Sequence, residues 1–148
     1  MVKIFAAIGA WSPITKKIQG GKYGKEIAAF SHIGFLVRAA DESLWTLELS
    51  RRGVVSRPLK DVPAHIVMEI PGIDYRAVNR YLVSHTEDKY RPWRTCAQYV
   101  AQGLLAGGWQ PPTDDKFTPA AFVNWYGRPE DIQWVHRYLW YYDLYGMP

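Results

Sequence analysis

The stretch "SHIGFLVRAADESLWTLELS", residues 31–50, decides how the rest of the chain is read. Its first part, "SHIGFLVR" (31–38), is β-branched and aromatic. Its last part, "SLWTLELS" (43–50), alternates apolar and polar side chains, so the two predict a pair of strands turning at "AADE". An antiparallel hairpin centred near residue 40 pairs position 32 with position 48, and directly opposed residues project from one face of a sheet. Those positions hold His32 and Glu48. A carboxylate beside an imidazole accepts its N–H, fixes its tautomer and stabilises the imidazolium formed when the ring takes a proton. The same pairing equally describes a solvated cross-strand contact worth a few tenths to about 1 kcal/mol.

Outward from the hairpin, "VKIFAAI" (2–8), "GVVSRPL" and "HIVMEI" read as further short strands, and the stretch from residue 9 to about Lys25 reads as loop. From Asp74 the period changes: "DYRAVNRYLV" places Tyr75, Val78, Tyr81 and Leu82 on one helical face behind an Asp74 cap. Strands followed by helices predict an α+β domain. A length of 148 residues with 48% hydrophobic content fits one domain with a real core.

The only cysteine is in "RPWRTCAQYVAQGLLAGG", residues 91–108. Thr95 is a good N-cap, so a helix is expected over about 96–106 with Cys96 as its first residue and the glycines at 107 and 108 as its left-handed stop. The positive pole of the helix dipole and the unpaired amides of that end favour a thiolate there. Ala97, Ala101 and Gly103 are small enough to let the helix lie close against a sheet. The plainer reading of a lone cysteine is a small buried hydrophobe. A nucleophilic thiol needs a base, for which the chain offers His32, His65, His85 and His136. Only His32 has a carboxylate placed opposite it by the strand pattern.

Composition excludes several classes of function. One cysteine excludes an internal disulfide framework and any multi-thiolate zinc site. The formal charge of +4 comes from scattered residues and short pairs such as Arg51-Arg52, with no basic block of the kind that forms a nucleic-acid arm. No run approaches the roughly 20 apolar residues that cross a bilayer. The opening "MVKIFAAIGAW" lacks a good cleavage pattern, so a chain made and kept in the cytoplasm is expected.

The order "SHIGFLV", "LWTLELS" ending beyond a Glu, "GVVSRPL", a helical region, "YRPWRTCAQYVAQGLL" and "FTPAAFVNW" resembles the circularly permuted NlpC-type papain-like proteins, and the resemblance covers most of the chain. In that group a strand reading roughly Ser-His-x-Gly opens the core, an acidic residue follows on the next strand, and the Cys comes last, at a helix start. The resemblance implies a small antiparallel sheet packed against helices, with Cys96 as nucleophile, His32 as base and Glu48 as the orienting residue. It implies a cysteine peptidase or amidase without metal or cofactor, acting on a peptide, muropeptide or acyl substrate in a bacterial or phage setting. Lipid or acyl-ester chemistry on the same fold, and a non-catalytic assembly module such as a phage accessory protein, are the competing readings.

The chain also departs from that pattern. Many members begin with a Gly-Asp-apolar strand where this chain has "IGAWSPITKKI". Thr95 stands where the related lecithin retinol acyltransferase group usually has Asn. The tail "DIQWVHRYLWYYDLYGMP" is unusually aromatic: Ile132, Val135, Leu139 and Tyr142 fit one buried stripe, and the remaining rings offer a surface for a protein, sugar or lipid partner.

Overall fold

A computed structural model describes residues 2–8, 22–62 and 65–131. The aromatic tail from Ile132 onward, with His136, and residues 9–21, where a loop was expected, lie outside the described residues. The architecture is α+β. Strands β1 (Val2–Ile8), β2 (Phe30–Arg38), β3 (Leu44–Ser50), β4 (Gly53–Val55) and β5 (His65–Ile70) form one sheet in the order β4-β3-β2-β1-β5. All its pairings are antiparallel. The helices are α1 (Lys25–Ala28), α2 (Tyr75–Ser84), α3 (Cys96–Ala106) and α4 (Pro119–Tyr126).

Strand alternation divides the core. Ile4 and Ala6 of β1, Ile33 and Phe35 of β2, and Ile66 and Met68 of β5 pack with Val78, Leu82, Val100, Leu104 and Phe122 from the helices. Phe5 and Ala7 join Leu59 and Val62 in a smaller cluster, with Leu36, Leu44 and Val67 packed against it. Because β1 is covered on both sides, "VKIFAAI" reads as a nearly continuous apolar run. On α2, Asp74 caps the helix through the Arg76 and Ala77 amides, and Val78 and Leu82 are buried. Tyr75, expected on that buried face, is 62% exposed. It stands with Val78 and Leu82 at a surface pocket lined by Val2 and Phe35 of the sheet, so it keeps the expected face but stays open to solvent.

The hairpin forms with a register different from the one expected. Phe35 pairs with Leu47 and Leu36 with Thr46, so each partner lies two residues further along than a turn centred at residue 40 gives. The cause is local. The Ala39 amide donates to the Ser43 carbonyl and the Glu42 amide to the Ala39 carbonyl, making a three-residue loop whose last member, Glu42, has φ of 69°. Asp41 supports it by accepting from the Ser43 amide at 3.0 Å. A shift of two preserves which residues share a face, so His32 and Glu48 stay together as diagonal neighbours, and the register extended by one step sets Gly34 opposite Glu48.

Candidate active site

Three elements meet at the site. β2 supplies His32, immediately after an irregularity in the β1–β2 ladder, where Ala7 pairs with His32 but Ile8 pairs with Phe30 and Ser31 is left as the extra residue. β3 supplies Glu48. α3 supplies Cys96 as its first residue and packs against both strands. The small residues of α3 make that approach possible: a Cβ on Gly103 would lie 2.7 Å from Phe35 Cζ, and Ala97 and Ala101 are buried.

The helix start is held by a capping box. The Thr95 hydroxyl accepts from the Gln98 amide at 3.4 Å, and the Gln98 side chain accepts from the Thr95 amide at 3.1 Å. The Thr95 cap was legible, but Gln98 was missed although Thr-x-x-Gln before an apolar run is its signature. The left-handed stop falls on Gly108 (φ 89°), one residue later than the C-cap Gly107 (φ −91°).

His32 Nε2 bonds Glu48 Oε1 at 2.9 Å, and the Cys96 thiol stands close enough to the ring to act on its pKa. Burial alone would lower the His32 pKa, but the hydrogen bonds to Cys96 and Glu48 and the charges of both outweigh it and raise it to about 9. Cys96 is buried, with 8% of the residue exposed.

Glu48 is 2% exposed, which rules out the solvated cross-strand contact that the pattern allowed. Burial would raise its pKa, yet His32, the Thr46 hydroxyl and the Arg57 charge together hold it below the ordinary carboxylate range. Arg57 reaches it with Nη2 at 3.2 Å and Nε at 3.4 Å. The fully buried Thr46 also accepts from the Arg57 amide at 3.2 Å, tying β3 to the segment after β4. A buried carboxylate without such partners would neutralise, so these contacts keep an anion behind His32. Sequence reading missed Arg57 and Thr46. Thr46 is two residues from Glu48 on the same strand, whereas Arg57 falls in the expected strand "GVVSRPL", which the structure ends at Val55, so the strand period could not place it.

Gly34 explains why a residue without a side chain lies two positions after the histidine. A Cβ there would fall 2.6 Å from Phe5 Cε1 and 2.9 Å from Glu48 Cβ. Gly34→Ala is therefore expected to destabilise the fold by about 1–3 kcal/mol and to push Glu48 off His32. Urea unfolding reads the first effect, and a drop in the imidazole pKa by NMR reads the second.

The loop before Cys96 is anchored by Arg94. Its guanidinium bonds Asp88 Oδ2 at 2.5 Å and the Tyr81 hydroxyl of α2, and it lies over the rings of Tyr81 and Tyr99. The Arg91 and Arg94 backbones exchange hydrogen bonds at 3.1 and 3.0 Å, which closes the turn carrying Pro92 and Trp93. Tyr99 is fully buried beside this network, and burial first, then the Asp88 charge, pushes its pKa up to about 12.

Among the described residues, His65 and His85 are bonded elsewhere. His65 Nδ1 bonds the Val62 carbonyl at 2.8 Å, and His85 stacks on Tyr81 with ring centroids 3.8 Å apart. Among the described residues no group of three or more His, Cys, Asp or Glu is placed to hold a metal ion, and no helix is long and apolar enough to cross a membrane. No protein-family model, curated protein or solved structure matches the chain.

Proposed function

We propose that the protein is a cysteine hydrolase of the permuted papain-like type, acting on an amide or ester bond, with peptide amides such as those of peptidoglycan stem peptides as the first substrate class. The observation that carries this reading is the bonded pair His32 and buried Glu48, with the Cys96 thiol at a capped helix start close enough to act on the imidazole. A purely structural cysteine has no need of an imidazole held by a buried anion.

The chemistry follows from the groups present. The Cys96 thiolate attacks the carbonyl carbon, and the resulting oxyanion is met by the Cys96 amide, one of the helix-start N–H groups without an intrahelical acceptor. The tetrahedral adduct collapses to a thioester as His32 donates its proton to the leaving amine or alcohol. Water then attacks the thioester, His32 takes the water proton, and the Cys96 thiolate leaves the released acid, restoring the starting ion pair. Glu48 holds the ring and stabilises its charged state throughout.

The test is direct. Purified protein is offered muropeptides and acyl esters, and the acyl-enzyme is sought by mass spectrometry. Wild type is expected to accumulate an acyl adduct on Cys96, and Cys96→Ala to lose turnover by about 10³-fold or more. If the two proteins are indistinguishable on every substrate and iodoacetamide modifies Cys96 no faster than a free thiol, the hydrolase reading fails and a binding module takes its place.

A further inference from the structure

The loop leading to α3 and the β3–β4 turn that touches it expose cations that the triad does not use. Arg51 and Arg52 are exposed on the β3–β4 turn, three and four residues beyond Glu48. That turn rests on the loop leading to Cys96, since a Cβ on Gly53 would lie 3.5 Å from the Asp88 carbonyl oxygen. The same loop exposes Lys89 and Arg91. Asp88 is occupied by Arg94, which leaves Glu87 as the exposed carboxylate of the same loop. Trp93 is 72% exposed at the tip of the Arg91–Arg94 turn, three residues before the nucleophile.

Neither feature is explained by packing. Exposed like charges crowded on two touching elements repel one another, a cost that a bound anion relieves. An exposed indole is a large apolar face held out of the core on a turn whose ends are hydrogen-bonded and whose first central residue is Pro92. We propose that this rim, formed by Arg51, Arg52, Lys89 and Arg91 with Trp93 at its tip, binds an anionic carboxylate or phosphate group of the substrate close to the scissile bond, with Trp93 covering the neighbouring apolar part. This rests on the reading of Cys96 as a nucleophile and adds the substrate's charge to it.

Two alkylating agents that differ in charge test the rim. Iodoacetate and iodoacetamide carry the same electrophilic carbon, so the ratio of their rates at Cys96 reports the local field, and any attraction by His32 is common to all variants that retain it. The ratio is expected to fall about fivefold or more in Arg51→Glu/Arg52→Glu. It should stay within about twofold of wild type in Arg76→Glu/Arg80→Glu, which makes an equal charge change on exposed positions of α2. In wild type the ratio should also fall between about 0.02 and 0.5 M salt, because exposed charges are screened. Protection of Cys96 by N-acetylglutamate better than by glycerol phosphate assigns a carboxylate, the reverse assigns a phosphate, and protection by neither overturns the proposal. An unchanged ratio in Arg51→Glu/Arg52→Glu also overturns it. The absolute iodoacetamide rate in wild type reports separately on the hydrolase reading, so the two failures are distinguishable.

Discussion

Replacing His32 by alanine is expected to cut hydrolysis by about 10³-fold, within the range that a positioned acid–base group contributes, and to slow iodoacetamide labelling of Cys96 at pH 6 by about tenfold or more. At pH 6 an isolated thiol is only about 0.3% ionised. A neighbouring imidazolium can raise that fraction by about two orders of magnitude, and the weaker nucleophilicity of a stabilised thiolate gives part of the gain back. The pH dependence has a definite sign. With its pKa raised from 6.5 to about 9, His32 remains a cation through neutral pH, so the wild-type rate should fall as pH rises through about 9 and this limb should vanish in His32→Ala. Stability follows the same group. Because the folded-state pKa is the higher one, its contribution is fully present below about pH 6.5 and is lost as pH rises through about 9. The gap in melting temperature between wild type and His32→Ala should therefore shrink between pH 6 and pH 9.5. A gap independent of pH, together with equal labelling rates, would show that His32 acts only by packing.

How much of this was legible depends on which interactions are local. The bounds of α3, the Asp74 and Thr95 caps and the strand "VKIFAAI" are written in short-range signals, and the structure places them where the sequence does. The faces of His32 and Glu48 were legible too, because strand alternation survives an even register error. The register itself was not, since it depends on Glu42 adopting a left-handed conformation that residue type does not announce. Nor was the burial of Glu48, which depends on Arg57 arriving from the segment after β4 to meet both Glu48 and Thr46. Gly34 shows the same division. Its place in the motif is visible, but the reason for it, the Phe5 ring and the Glu48 Cβ on either side, belongs to three strands at once. Tyr75 shows that a helical period gives a face but not how deeply each residue on it is buried.

Glu48→Gln separates an orienting carboxylate from a structural one. The substitution keeps the shape of the side chain and removes its charge. Arg57 loses an ion-pair partner, but its side chain is 39% exposed and can turn to water, so the fold should survive. The amide can still meet His32 Nε2, yet it no longer offsets the positive ring. Three consequences are expected together. Turnover falls by about 10²–10⁴-fold, as when the acid of a catalytic triad is made an amide. The His32 pKa falls from about 9, since one of the two groups raising it has lost its charge. The variant also loses a pH-dependent part of its stability. The wild-type Glu48 pKa is depressed in the folded state, so its contribution is present above the unfolded carboxylate value of about 4.5 and disappears as pH falls through the lower folded value. Melting curves of wild type and Glu48→Gln should accordingly converge in acid and separate at neutral pH. If turnover were retained while stability dropped, Glu48 would be a buried anchor for Arg57 and the third catalytic position would have to be sought elsewhere. If turnover fell while the His32 resonance kept its titration near pH 9, the loss would come from ring orientation alone, with the Cys96 contact sufficient to hold the charge.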